Sequence, residues 1–196
     1  MNLMPFDELN TFRQMVTEYK TEPLTLSEKE RLRDDIWDYI EYLLFEAYTY
    51  GNVQAMQDLG LLDKDPAEII NRETMEQTIN EPVAGKTYKD RIQEYLDAGG
   101  STVEDFQRVA ETDATRVYNA GVVDGGKNSG VGGVFKEWIT MDDDRVRSTH
   151  EYLQSMRVPL DSDFYTYDGD HARAPGLFTL PENNIGCRCT LQLIRE

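Results

Sequence analysis

Most of the chemistry this sequence can perform rests on two cysteines and two histidines, all in its last third. Cys187 and Cys189 form a C-x-C pair, with His150 and His171 upstream. A C-x-C pair does not easily close on itself as an unstrained disulfide. In a reducing compartment it reads as metal ligation or as two small core side chains. On a strand the two thiols face one side and Arg188 the other. One imidazole and two thiolates are one donor short of a closed tetrahedral zinc site, and His171 is the candidate fourth. A structural zinc on His150, Cys187, Cys189 and His171 would staple a loop-rich segment with little core of its own. The alternative is a hydrogen-bonded core histidine beside two buried thiols.

A helix beginning near Asp144 puts Asp144, Arg147, His150 and Glu151 on roughly one face. Asp144, Arg145, Arg147, Asp168 and Arg188 are the candidate fasteners of this segment. The same groups allow an enzyme reading, a metal-dependent hydrolase or group transferase using His150, Asp144 and the cysteines. No third orienting group or oxyanion-hole motif accompanies the Cys–His pair. Asp161, Asp163, Asp168 and Asp170 do not fit a calcium loop and read as turn chemistry. Gly121 through Lys127 matches G-x-x-x-x-G-K, but Asn128 replaces the required Ser or Thr and a helix, not a strand, precedes it.

The elements that must position these groups are mostly helices. Apolar residues at Phe6, Leu9, Phe12, Met15, Val16 and Tyr19 predict a first helix, with Pro5 at its start. Thr25 and Glu28 form a capping box for a long helix over 26–58. Trp37, Tyr42 and Phe45 widen its apolar stripe and are the candidate interface with a partner. Asp65-Pro66 predicts a helix running to about Asn80. Thr87 caps a helix over 88–98, and Ser101 with Glu104 caps one ending near 120. Residues 121–133 hold six glycines and predict a linker. After it, VFKEWIT reads as a strand with Phe135, Trp138 and Ile139 as its bulky members, RVRSTHEYLQSM as a short helix and CTLQLIRE as a closing strand. The predicted architecture is α+β: a helical region over 1–120, a Gly-rich linker over 121–133 and a small α+β module over 134–196.

Composition bounds the function. The formal net charge is −17. Such a surface repels a phosphate backbone, which argues against broad DNA binding. Arg145, Arg147, Arg157, Arg173 and Arg188 fall in the less acidic part and leave local DNA contact open. The charge otherwise serves solubility or a partner with a basic face. No apolar run of about 18 residues predicts a membrane span. The opening MNLMPFDELNTF has no signal-peptide pattern, so a cytoplasmic location is expected.

Four motifs together resemble a known family. They are WITMDDDRVRSTH from Trp138 to His150, VPLDSDFYTYDGD from Val158 to Asp170, A-P-G at 174–176, and N-x-x-C-R-C from Asn184 to Cys189. They resemble the phage head morphogenesis family, the Mu F-like minor head (minor capsid) proteins of tailed phages and prophages. The resemblance is strong over 134–191. It is looser over 65–125, through EPVAGKTYKDR at 81–91 and RVYNAG at 116–121. Family members commonly place the asparagine directly before C-x-C, whereas Ile185-Gly186 intervene here. The resemblance implies a structural role in the virion, few copies, association with the portal inside the capsid, and an effect on DNA packaging or ejection. The domain also occurs fused to toxin domains.

Overall fold

The computed structural model describes the backbone of residues 6–61 and 63–196, and the side chains of 10–61 and 63–196. Pro5 and the side chains of Phe6 and Leu9 lie outside this range. Five helices lead the chain: α1 (Phe6–Thr21), α2 (Leu26–Asp58), α3 (Arg72–Asn80), α4 (Tyr88–Asp97) and α5 (Val103–Asn128). The strands β1 (Val134–Ile139), β2 (Arg157–Pro159), β3 (Phe164–Tyr165), β4 (His171–Ala172) and β5 (Thr190–Arg195) follow, with short helices α6 (Ser148–Glu151) and α7 (Pro181–Asn184) between them. The mainly helical α+β expectation holds. No described helix is long and apolar enough to cross a membrane.

Local signals set most helix starts. The Thr25–Glu28 and Thr87–Asp90 capping boxes both form. The cap of α5 is one residue later than expected, Thr102 with Asp105. Asp65 caps only a single 3-10 turn, Pro66–Glu68, and Asn71 starts α3 afresh.

The expected linker is corrected by α5, which continues through Gly121, Gly125 and Gly126 to Asn128. Each helical glycine costs about 1 kcal/mol against alanine. Here that cost is offset by close contact between α5 and α2. A Cβ on Gly121 would stand 2.4 Å from the Tyr48 carbonyl oxygen, and one on Gly51 would stand 2.1 Å from that of Tyr118. The glycines let two backbones touch.

β1 is the centre of an antiparallel sheet of order β2-β1-β5, with Trp138 opposite Leu191 and Lys136 opposite Leu193. Val134, Lys136 and Trp138 are buried, while Phe135 and Ile139 are half-buried. The strand therefore turns a lysine inward, where its Nζ donates to the Arg173 carbonyl at 2.7 Å. One apolar core runs from Phe12 through α2 and α5 to Leu193. Leu193 donates its backbone N–H to Asp58 Oδ2 on α2 at 2.8 Å, so the sheet is built onto the helices.

Candidate metal centre

His150 stands in α6, whose N-cap is Arg147. Its ring stacks on Phe178 at 5.4 Å and meets Trp138 edge-on at 5.3 Å. Cys187 and Cys189 lie in the extended stretch before β5. The alternation expected for a strand places both thiols inward and Arg188 outward. His150 Nδ1 is 3.6 Å from Cys187 Sγ and 3.4 Å from Cys189 Sγ, and all three residues are buried. Ligand atoms of the three lie within 4.8 Å of one another, a grouping that can hold a metal ion.

The two thiols share a proton unevenly. Cys187 is held well below the usual thiol range, first by the hydrogen bond from Cys189 and then by His150, which together outweigh burial. Cys189 is pushed up because it donates to Cys187 and is itself buried.

Three contacts fix the C-x-C stretch. Asn119 on α5 donates to the Cys189 carbonyl and accepts from the Leu191 N–H, each at 3.0 Å. Arg188 grips Asp143 through two bonds of 2.6 and 2.8 Å, which hold that carboxyl down at about 2. Arg147 Nη2 donates to the Ile185 carbonyl at 2.7 Å, two residues before Cys187. A second knot lies behind His150. Burial pushes the Asp170 carboxyl up, but bonds from Thr179, Asn183 and Leu180 outweigh it and hold it low. Asn183 in turn accepts from Thr149 at 3.0 Å, the residue before His150.

Of the candidate ligands, the fold brings together His150, Cys187 and Cys189. It places His171 elsewhere, half exposed on β4, with Nδ1 3.0 Å from Asp163 Oδ2. The expected fourth ligand is corrected: β3 and β4 form their own hairpin, and its exposed side carries His171. Asp144 is exposed, and its expected fastening role belongs to Asp143. The reason is that residues 143–146 form a turn, so the helical face predicted from Asp144 never exists. Arg145 is largely exposed and reaches Asp143 at 3.6 Å. Asp168 accepts from Thr166 within its turn and lies outside the cluster.

Sequence reasoning missed Asn119, Asp143, Asp170 and Asn183. Asn119 was visible inside RVYNAG and Asp170 inside YDGD, but no spacing rule links them to the cysteines. Arg116, in the same RVYNAG stretch, is buried and donates to the Thr78 and Ile79 carbonyls at the end of α3. Gly176 of A-P-G, at φ +84°, lets that loop lie on Arg116. Glu81 of EPVAG pairs with Arg173 at 2.7 Å.

The remaining candidates are less available than expected. Trp37 is half-buried under Arg33 and Lys89, and Phe45 packs against the core, whereas Tyr42 is 50% exposed. Arg157, Arg173 and Arg188 each pair with a carboxylate. Gly121 through Lys127 lies within α5 and is no phosphate loop.

Comparison with known proteins supports a placement. The model of the family described as Phage Mu protein F like protein matches residues 60–192. The chain is also similar to the NAD(+)--arginine ADP-ribosyltransferase EFV of Enterococcus faecalis, 26% identical over 154 residues. That match covers 62% of this chain and 31% of the relative, so the chain spans about a third of that protein's length. No solved structure matches the chain. With the family match running from before α3 into the first half of β5 and taking in every residue of the His/Cys/Cys cluster, the chain belongs to the Phage Mu protein F like family of phage head-related proteins.

Proposed function

We propose that this chain is a phage minor head protein that works at the portal on the inside of the head and influences DNA packaging or ejection. It would reside in the virion, after assembly in the host cytoplasm. The observation that carries this reading is the family match over 60–192. The partner surface we assign is the outward stripe of α2, where Asp34, Asp35, Asp38, Tyr42 and Tyr50 are exposed. It combines aromatic anchors with carboxylates, which suits a portal or capsid-interior protein with a basic face. On the same reading, His150, Cys187 and Cys189 hold a structural zinc that fastens the sheet to α6.

The similarity to an arginine ADP-ribosyltransferase does not make this chain a transferase. The family match and the relative's match overlap along this chain. We therefore assign the shared part to the head domain and the transferase activity to the remainder of the relative.

The test is co-expression with the portal protein of the same phage genome. The wild-type chain should co-purify with it, and Tyr42→Ala with Tyr50→Ala should lose it at an unchanged melting temperature. Failure of the wild-type chain to associate with portal or any other head protein would refute the reading.

A further inference from the structure

We propose that the zinc position is open, with three protein donors and a water-sized exogenous ligand, a hydroxide or a small anion, held in a recess beside Arg147. This rests on the zinc reading given above. Four features support it.

The distances suit a tetrahedral ion. Zn–S near 2.3 Å and Zn–N near 2.0–2.1 Å set S···N edges of about 3.6 Å. The observed separations are 3.6 and 3.4 Å, both from the same nitrogen, Nδ1. Without a metal that nitrogen can take part in only one good hydrogen bond, so one sulfur would gain nothing from its position.

The donor set stops at three. Among the described residues no fourth His, Cys, Asp or Glu joins the cluster. His171 is taken by Asp163, and the nearby carboxylate of Asp143 by Arg188.

Space exists beside the three donors. A recess of about 10 Å³ adjoins the three ligands and is lined also by Arg145, Arg147 and Arg188. That is room for about one water molecule, and the recess is partly open to solvent, so a larger anion can extend outward.

The surrounding donors lack acceptors. Trp138 Nε1 and Arg147 Nη1 are buried without a nitrogen or oxygen partner among the described residues, and both residues act on Cys189. Buried N–H groups left unpaired are costly, so these two beside Cys189 call for negative charge there. Coordinated thiolates supply part of it. With Nδ1 on the metal, the His150 proton sits on Nε2. Arg147 Nη1, on the recess wall, is placed to bond an anionic fourth ligand.

Cobalt(II) and azide test this on the full chain after chelator treatment. One equivalent of cobalt should give thiolate-to-metal charge-transfer absorption and the d–d bands of a tetrahedral ion. Azide should then shift the d–d bands saturably. Arg147→Gln should keep the charge-transfer band and weaken the azide response about tenfold, the loss of one charge-assisted bond. His171→Asn should match wild type in both readouts. If Arg147→Gln does not fold, the azide titration of wild type decides alone. Cobalt bands that ignore azide, or that change in His171→Asn, overturn the open position and leave the metal standing. A folded chain with no cobalt band overturns the metal as well.

Discussion

Asp143 and Asp144 are neighbours with opposite fates. Asp143 takes both bonds of the Arg188 guanidinium, while Asp144 faces solvent. Asp143→Asn should therefore lower the melting temperature clearly more than Asp144→Asn. The pH sign follows from the shift. Asp143 is depressed to about 2 in the fold, below its ordinary value near 3.9 when unfolded. Its contribution is present above pH 4 and is lost as pH falls toward 2. Lys136 works in the other direction. Burial pulls its ammonium down to about 8, from about 10.4 in the unfolded chain. Between those values the unfolded chain binds more protons, so Lys136 makes stability rise with pH over that interval. Melts across pH 7–10 should show this rise in wild type and a flatter profile in Lys136→Met. Neither residue's role was legible in the sequence. One-residue register decides which of three consecutive aspartates meets an arginine 45 positions away, and a lysine inside a strand pattern reads as solvent-facing until the strand's pairing is known.

At the scale of elements, the capping boxes were readable because each is a local circuit within four residues. The glycines were misread for a related reason. Six in thirteen residues look like a linker unless the partner of Gly121 is known, and that partner, Gly51 with Tyr48, lies 70 positions earlier. Helix propensity alone favours alanine at Gly121 by about 1 kcal/mol. The 2.4 Å approach to a carbonyl oxygen outweighs it, since overpacking costs about 1–3 kcal/mol and backbone cannot step aside cheaply. Gly121→Ala should thus destabilise in urea melts. Gly132→Ala, whose Cβ would meet nothing within 4 Å, should not. The edge of Trp138 is equally decisive for β1: it is buried against His150, Phe164 and Phe178. Trp138→Ala should cost about 3–5 kcal/mol in the same measurement.

For the whole molecule, the helical region and the sheet share one core, and the ties between them run through motif residues. Asn119 reaches Cys189 and Leu191, Glu81 reaches Arg173, and Thr112 accepts from the Gly186 N–H at 3.0 Å. These ties join segments that lie far apart in the chain but all within the span of the family match. The cluster's donor types were legible, since a C-x-C pair with a histidine upstream offers metal ligands as well as small core side chains. The third dimension was not: nothing local says that His150 meets the cysteines and His171 does not. Metal content is the decisive property of the cluster. Native mass spectrometry of the purified chain should find one zinc per molecule, retained in His171→Asn and lost in Cys189→Ser. A folded chain that carries no zinc, with a melting temperature indifferent to added zinc and to chelator, would contradict it.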